Sequence, residues 1–117
     1  MIDKYTSRLL ESRTVAHLYH LSTSSYAKHV ALEEYYTEIV NLIDEIVETH
    51  QGKYGIIKLE LTSNFKNDIN SVEYFESLAQ FVENIRSELP QDNFLQHQYD
   101  DVETLIYKTL YKLKYLT

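Results

Sequence analysis

Four of the five histidines, with a row of carboxylates, fall in one stretch from Ala16 to Gly55. Imidazole and carboxylate together form a borderline-to-hard donor set that suits Fe(II), Zn or Mn. The residues spaced for such a set are His17, His29, Glu33, Asp44 and Glu48. The last four lie on one predicted helix, within a sector of roughly 100° at about 100° per residue. Glu33 and Asp44 are nevertheless about 16 Å apart along its axis, at ~1.5 Å rise per residue. One chain therefore cannot bring all four to a single ion. Two copies of the helix, antiparallel about a two-fold axis, can. His29 and Glu33 of one chain then face Asp44 and Glu48 of the other, and symmetry makes the arrangement twice. His17, near the end of the preceding helix, can lean in across a short turn. The competing reading is plain: the chain has 18 acidic residues, acids on a long helix are usually solvated, and histidines at helix ends are often caps.

Four amphipathic helices are expected to position these residues. The first runs from Asp3, a plausible N-cap, to about Ser22, with Leu9, Leu10, Arg13, Ala16, His17, His20 and Leu21 at three- and four-residue steps. The hydroxyl-rich segment LSTSS breaks it, and Ser24 or Ser25 can cap the next helix. That helix runs from Tyr26 to Thr49, carries Val30, Tyr36, Ile39, Val40, Ile43 and Val47, and is expected to end at His50-Gln51-Gly52. The segment IIKLELT has strand-like composition but no partner strand, so it reads as an extended crossover that packs Ile57, Leu59 and Leu61 on the helices. A third helix starts at Asn70 or Ser71, places Glu73 in its first turn, carries Val72, Phe75, Leu78, Ala79, Val82, Ile85 and Leu89, and stops at Pro90. A fourth starts near Asn93 and buries Phe94, Tyr99 or Val102, Leu105, Ile106, Leu110, Leu113 and Leu116. Short links pair the first helix with the second and the third with the fourth. The long middle link can cross the bundle. The expected fold is all-α: one ferritin-like four-helix domain over residues 1–117 with a long crossover between helices 2 and 3.

Composition narrows the functions. The 117 residues include 2 Gly, 1 Pro and no Cys. So few chain breakers favour long helices, and the lack of Cys excludes disulfides, thiolate metal sites and Cys nucleophiles. No apolar run is long enough to span a membrane, and MIDKYTSRLLESR lacks a signal-peptide core. A cytoplasmic protein is expected, with no membrane partner. A net charge of −7 argues against nucleic-acid binding, which needs clustered Lys and Arg. The one basic cluster, Lys108, Lys112 and Lys114, suits a helix C-terminus. Eleven tyrosines and no Trp point to hydroxyl-bearing seams between helices or subunits. Neither a phosphate-cradling Gly loop nor a nucleophile elbow is present.

The spacing has a counterpart. An Ala-His pair ending at His17, a His twelve residues on at His29, then acids four, fifteen and nineteen residues after His29 (Glu33, Asp44, Glu48) resemble the ferroxidase signature of the mini-ferritins, the DNA-protection-during-starvation proteins. The resemblance implies that His17, His29 and Glu33 come from one subunit and Asp44 and Glu48 from its two-fold partner. It implies Fe(II) bound there, oxidised by peroxide or dioxygen to Fe(III), in a homodimer or larger homo-oligomer. The span YHLSTSSYAKHVALEEYYTEIVNLIDEIVETHQGKYGI also resembles small ferritin-like proteins of tailed phages, which would place the chain in a host cytoplasm. The departures are specific. Glu33 stands where that family usually has Asp, Leu18 where it has Trp, and STSS where it has a Gly-Pro turn. No Lys-rich arm precedes the first helix, and Glu-x-x-His pairs of the larger ferritins do not occur. The alternative function is a helical-bundle interaction protein, phage-encoded, that kept the fold without the iron chemistry. His20 reads as a partly exposed surface residue, His50 as a helix-end residue and His97 as solvated. Tyr26, Tyr35 and Tyr36 read as packing residues of a core or interface.

Overall fold

A computed structural model describes all residues, 1–117. The chain is all-helical: α1 is Ile2–Ser22, α2 Tyr26–Tyr54, α3 Ser71–Ile85 and α4 Asn93–Tyr115, with a short 3-10 turn at Arg86–Glu88. They pack as a bundle measuring 44 × 25 × 22 Å. Around its girth the order is α1, α2, α4, α3, so α2 and α3 lie on opposite corners. Each short link joins antiparallel neighbours. Residues 55–70 contain no strand and run back along the bundle before α3 begins.

Local chemistry explains most boundaries. The Ser25 hydroxyl accepts from the Lys28 backbone N–H at 3.2 Å and caps α2. At α3, Asn70 Oδ1 accepts from the Glu73 N–H at 2.9 Å, while its amide donates back to Glu73 Oε1 at 2.7 Å. The reciprocal pair satisfies a donor that the first helical turn leaves without an intrahelical partner. Helix α3 relaxes into the 3-10 turn before Pro90. Two boundaries differ from expectation. Helix α1 starts at Ile2 with Met1 as N-cap, so Asp3 lies inside its first turn. Helix α2 continues through Gly52 to Tyr54, and Gly55, at φ 96° and ψ 172°, ends it. The extra turn has a tertiary cause: Lys53 and Tyr54 both donate to the Asp92 carboxylate at the start of α4.

The core is aliphatic with a tyrosine spine. Tyr5, Leu9, Val15 and Ala16 of α1 meet Leu32, Tyr35, Ile39, Ile43 and Ile46 of α2, Phe75, Leu78 and Val82 of α3, and Tyr99, Val102, Ile106 and Leu110 of α4. Tyr35 stands edge-on to Phe75 at 4.7 Å between centroids. Its hydroxyl is 2.7 Å from Ser12 Oγ, which itself donates to the Leu9 carbonyl at 2.6 Å. Tyr35 therefore donates to Ser12, and burial pushes its phenol above the usual range. Several residues expected in the core are at its margin. Leu10, Val30, Tyr36, Val40, Val47 and Val72 are half-buried, and Leu21, Phe94 and Leu116 are exposed. Phe94 yields its place to Leu95, and its ring instead lies under the Lys53 ammonium, 5.5 Å from the centroid.

The crossover is held by polar contacts more than by its apolar side chains. Leu59 and Leu61 are exposed and Ile57 only half-buried, contrary to expectation. Instead, the Ser7 hydroxyl accepts from the Thr62 N–H at 3.0 Å and lies 3.3 Å from its carbonyl. Glu11 Oε2 accepts from the Asn64 N–H at 3.2 Å, and the Tyr19 hydroxyl donates to the Ile69 carbonyl at 2.9 Å. Phe65, packed edge-on to Tyr19 and Tyr74, is the apolar anchor.

The two glycines should respond with opposite sign to the same substitution. At neither would a new Cβ come within 4 Å of an atom beyond its own local backbone and chain neighbours. Gly52→Ala, in an exposed helical position, should stabilise by about 0.5–1 kcal/mol. Gly55→Ala forces an L residue into a region that is essentially glycine's alone and should destabilise by about 1–3 kcal/mol. Urea denaturation of the two variants beside the parent measures both.

Candidate functional site

The turn between α1 and α2 gathers three histidines, and His20 is the central one. It is buried, at 6 % exposure, and not on the surface as its sequence context suggests. Its ring stacks on His29 with centroids 3.7 Å apart and planes 19° off parallel. The two rings exchange hydrogen bonds with each other's backbone: His20 Nδ1 lies 2.7 Å from the His29 carbonyl, and His29 Nδ1 lies 2.9 Å from the His20 carbonyl. A carbonyl only accepts, so each ring carries a hydrogen on Nδ1 and, when neutral, keeps its lone pair on Nε2. His20 Nε2 is 3.9 Å from Glu33 Oε1. His17 completes the group, with its ring 5.9 Å from His20 and stacked on Tyr36 at 4.5 Å.

The local sequence explains this gathering. His17 and His20 are one turn apart near the end of α1, while His29 and Glu33 are one turn apart at the start of α2. A three-residue link, Thr23–Ser25, brings these turns against one another. Asp44 and Glu48 share α2 but lie toward its far end, both exposed. No three His, Asp or Glu side chains of one chain are close enough to hold an ion. The five residues singled out from spacing thus divide: His29 and Glu33 each meet His20 at the corner, His17 lies beside His20 and Tyr36 there, and Asp44 and Glu48 stand apart on the helix. Sequence reasoning missed the burial of His20. The signal available was its three-residue step from His17, which turns it toward the α2 side.

The other singled-out residues have plain roles. Tyr35 is core, Tyr36 half-buried and Tyr26 exposed. His97 is exposed. Lys112 and Lys114 pair with Glu34 and Glu76. His50 lies inside α2 rather than at its end, is buried, and its Nδ1 has no hydrogen-bond partner. Burial lowers its pKa, the Asp92 carboxylate partly opposes this, and the N-terminal ammonium adds to it.

A concavity of about 510 Å³ opens between α1, the crossover and α3. Glu11, buried at its floor, accepts from the Tyr74 hydroxyl at 3.0 Å and faces Arg8 Nε at 3.6 Å. The Arg8 guanidinium lies 4.9 Å from the Phe81 centroid. Burial first, then the Glu11 carboxylate, holds the Tyr74 phenol above its usual range. The charges at the floor are thus used to bind helix to crossover.

Residues 20–113 match the family described as "Family of unknown function (DUF5856)". The chain is also similar to the "Uncharacterized 14.6 kDa protein in mobD-ri intergenic region" of Enterobacteria phage T4, at 25 % identity over 112 residues, covering 95 % of this chain and 86 % of that protein. No solved structure matches the chain. No helix is long and apolar enough to cross a membrane.

The lowered pKa of His50 carries a stability prediction. Above the ordinary value of 6.5 the ring is neutral whether the chain is folded or not. As pH falls through that value the unfolded chain takes up a proton more readily than the folded one, so stability falls. Urea midpoints measured at neutral pH and below the ordinary histidine range should show this loss, and His50→Gln should flatten it.

Proposed function

The chain belongs to the DUF5856 family, and on that premise we propose that it is a ferritin-like bundle of the mini-ferritin kind, binding Fe(II) where two copies meet. The observation that carries the reading is the corner where histidines of α1 face His29 and Glu33 of α2 while Asp44 and Glu48 stay exposed farther along α2. This is the division that a site shared between two subunits needs. The donor chemistry fits. Neutral imidazole with a free Nε2, its other nitrogen bonded to a carbonyl, is the usual state of a metal-bound histidine. The carboxylates supply hard oxygen donors suited to iron. The diagonal placement of α2 and α3, with a crossover returning between them, is the connectivity of single-crossover bundles. Fe(II) is the substrate in this reading. Each ion gives one electron to peroxide or dioxygen and leaves as Fe(III).

A second reading is favoured by a different surface. Tyr107, Tyr111 and Tyr115 project from α4 at successive turns and are exposed. Such a stripe on an acidic bundle suits contact with another protein, in keeping with a phage-encoded interaction protein that has no iron chemistry.

Anaerobic Fe(II) titration by calorimetry, with the mass measured in solution, separates the two. The metal reading expects saturable binding by a dimer or larger assembly, with about one site per chain because the two-fold axis makes each ligand set twice. His29→Ala and Glu48→Ala should each abolish it. A protein that stays monomeric, or an intact helical fold without Fe(II) uptake, overturns this reading in favour of the second.

A further inference from the structure

We propose that His20, in place of His17, supplies the imidazole of the metal site and grips the ion together with Glu33, while His29 positions the His20 ring instead of ligating the ion. This inference rests on the metal-binding reading and changes its ligand set. His20 Nε2 and Glu33 Oε1 are separated by 3.9 Å. Two donors at about 2.1 Å from an ion in adjacent coordination positions stand roughly 3.0–3.4 Å apart, so the exposed Glu33 carboxylate has to close on the fixed imidazole by half an ångström or more to take the ion between them. His20 is also held in advance. Its Nδ1–H is spent on the His29 carbonyl at 2.7 Å, and its ring is clamped face to face on His29. Burial and stacking have already removed the rotamer freedom that a surface histidine would lose on binding. His17 has the opposite character. It is exposed, its ring lies flat on Tyr36, and it has no carbonyl anchor of the kind His20 and His29 share.

The same geometry assigns a role to the stack. His29 backs the ring of His20, and the exchanged hydrogen bonds tie the last turn of α1 to the first turn of α2. The two helices therefore cannot shear without moving the Nε2 to Glu33 gap. No third donor of the same chain reaches that pair. The remaining positions fall to solvent and to Asp44 and Glu48 of a second copy.

Co(II) serves as the probe, because its visible absorption reports nitrogen and oxygen ligation directly. The full chain is titrated alongside His20→Asn, Glu33→Gln and His17→Gln, with helix content checked by circular dichroism. His20→Asn keeps a side-chain N–H toward the His29 carbonyl but loses Nε2, and Glu33→Gln is a surface change. Both should weaken Co(II) binding at least about tenfold, while His17→Gln should leave it within about twofold of the parent. Weakening by His17→Gln equal to or greater than that by His20→Asn overturns the assignment and leaves the metal reading standing. A parent chain that shows no saturable absorption band overturns both. A second measurement needs no variant. Substoichiometric Co(II) should broaden the imidazole NMR signals of His20 before those of His17, and the reverse order overturns the assignment.

Discussion

Helices α2 and α3 run in the same direction at opposite corners of the bundle, and the rest of the structure depends on how the chain meets that constraint. Residues 55–70 must cover the full length of the bundle outside any helix, and their backbone groups need partners on the way. Helix α1 supplies them. Ser7, Glu11 one turn on and Tyr19 about two turns beyond that bond to Thr62, Asn64 and Ile69 in order. This explains why α1 is so polar on a face that touches protein. It also explains why Glu11 is buried, with Tyr74, Arg8 and the Asn64 N–H sharing its carboxylate. A buried carboxylate stripped of these partners would be costly.

The four helices and their packing as a bundle were legible in the sequence because they rest on local signals. The Asn70–Glu73 cap, the Ser25 cap, Pro90 and the apolar stripe of α3 are all short-range features, and each appears where the spacing puts it. The misreadings come from longer range. Gly52 is a sound local stop, but the attachment of Lys53 and Tyr54 to Asp92 extends the helix past it. Leu59 and Leu61 read as anchors because they are apolar, yet the crossover is fastened through backbone groups that no side-chain pattern reveals. Phe94 and Leu95 are adjacent, and which of them faces inward depends on the rotation of α4.

The corner of histidines was half legible. Spacing marked His17, His29 and Glu33, and the short link brings them around His20. The same spacing treated His20 as incidental, because a histidine's burial depends on what stands opposite it. Here that is another histidine offering both a ring face and a carbonyl. A carbonyl bond fixes which ring nitrogen keeps its lone pair, and this is the information that a list of candidate ligands lacks.

The crossover also bears on the order in which the molecule forms. The contacts between α1 and α2, and those between α3 and α4, close over short stretches of chain, so each hairpin is a local event. The contacts of residues 62–69 with α1 span 50 to 55 residues, and those of α2 with α4 span 39 to 78. Closing long loops is entropically harder than closing short ones. The hairpins are therefore expected to assemble first, with the seating of the crossover on α1 as the late step that sets the refolding rate.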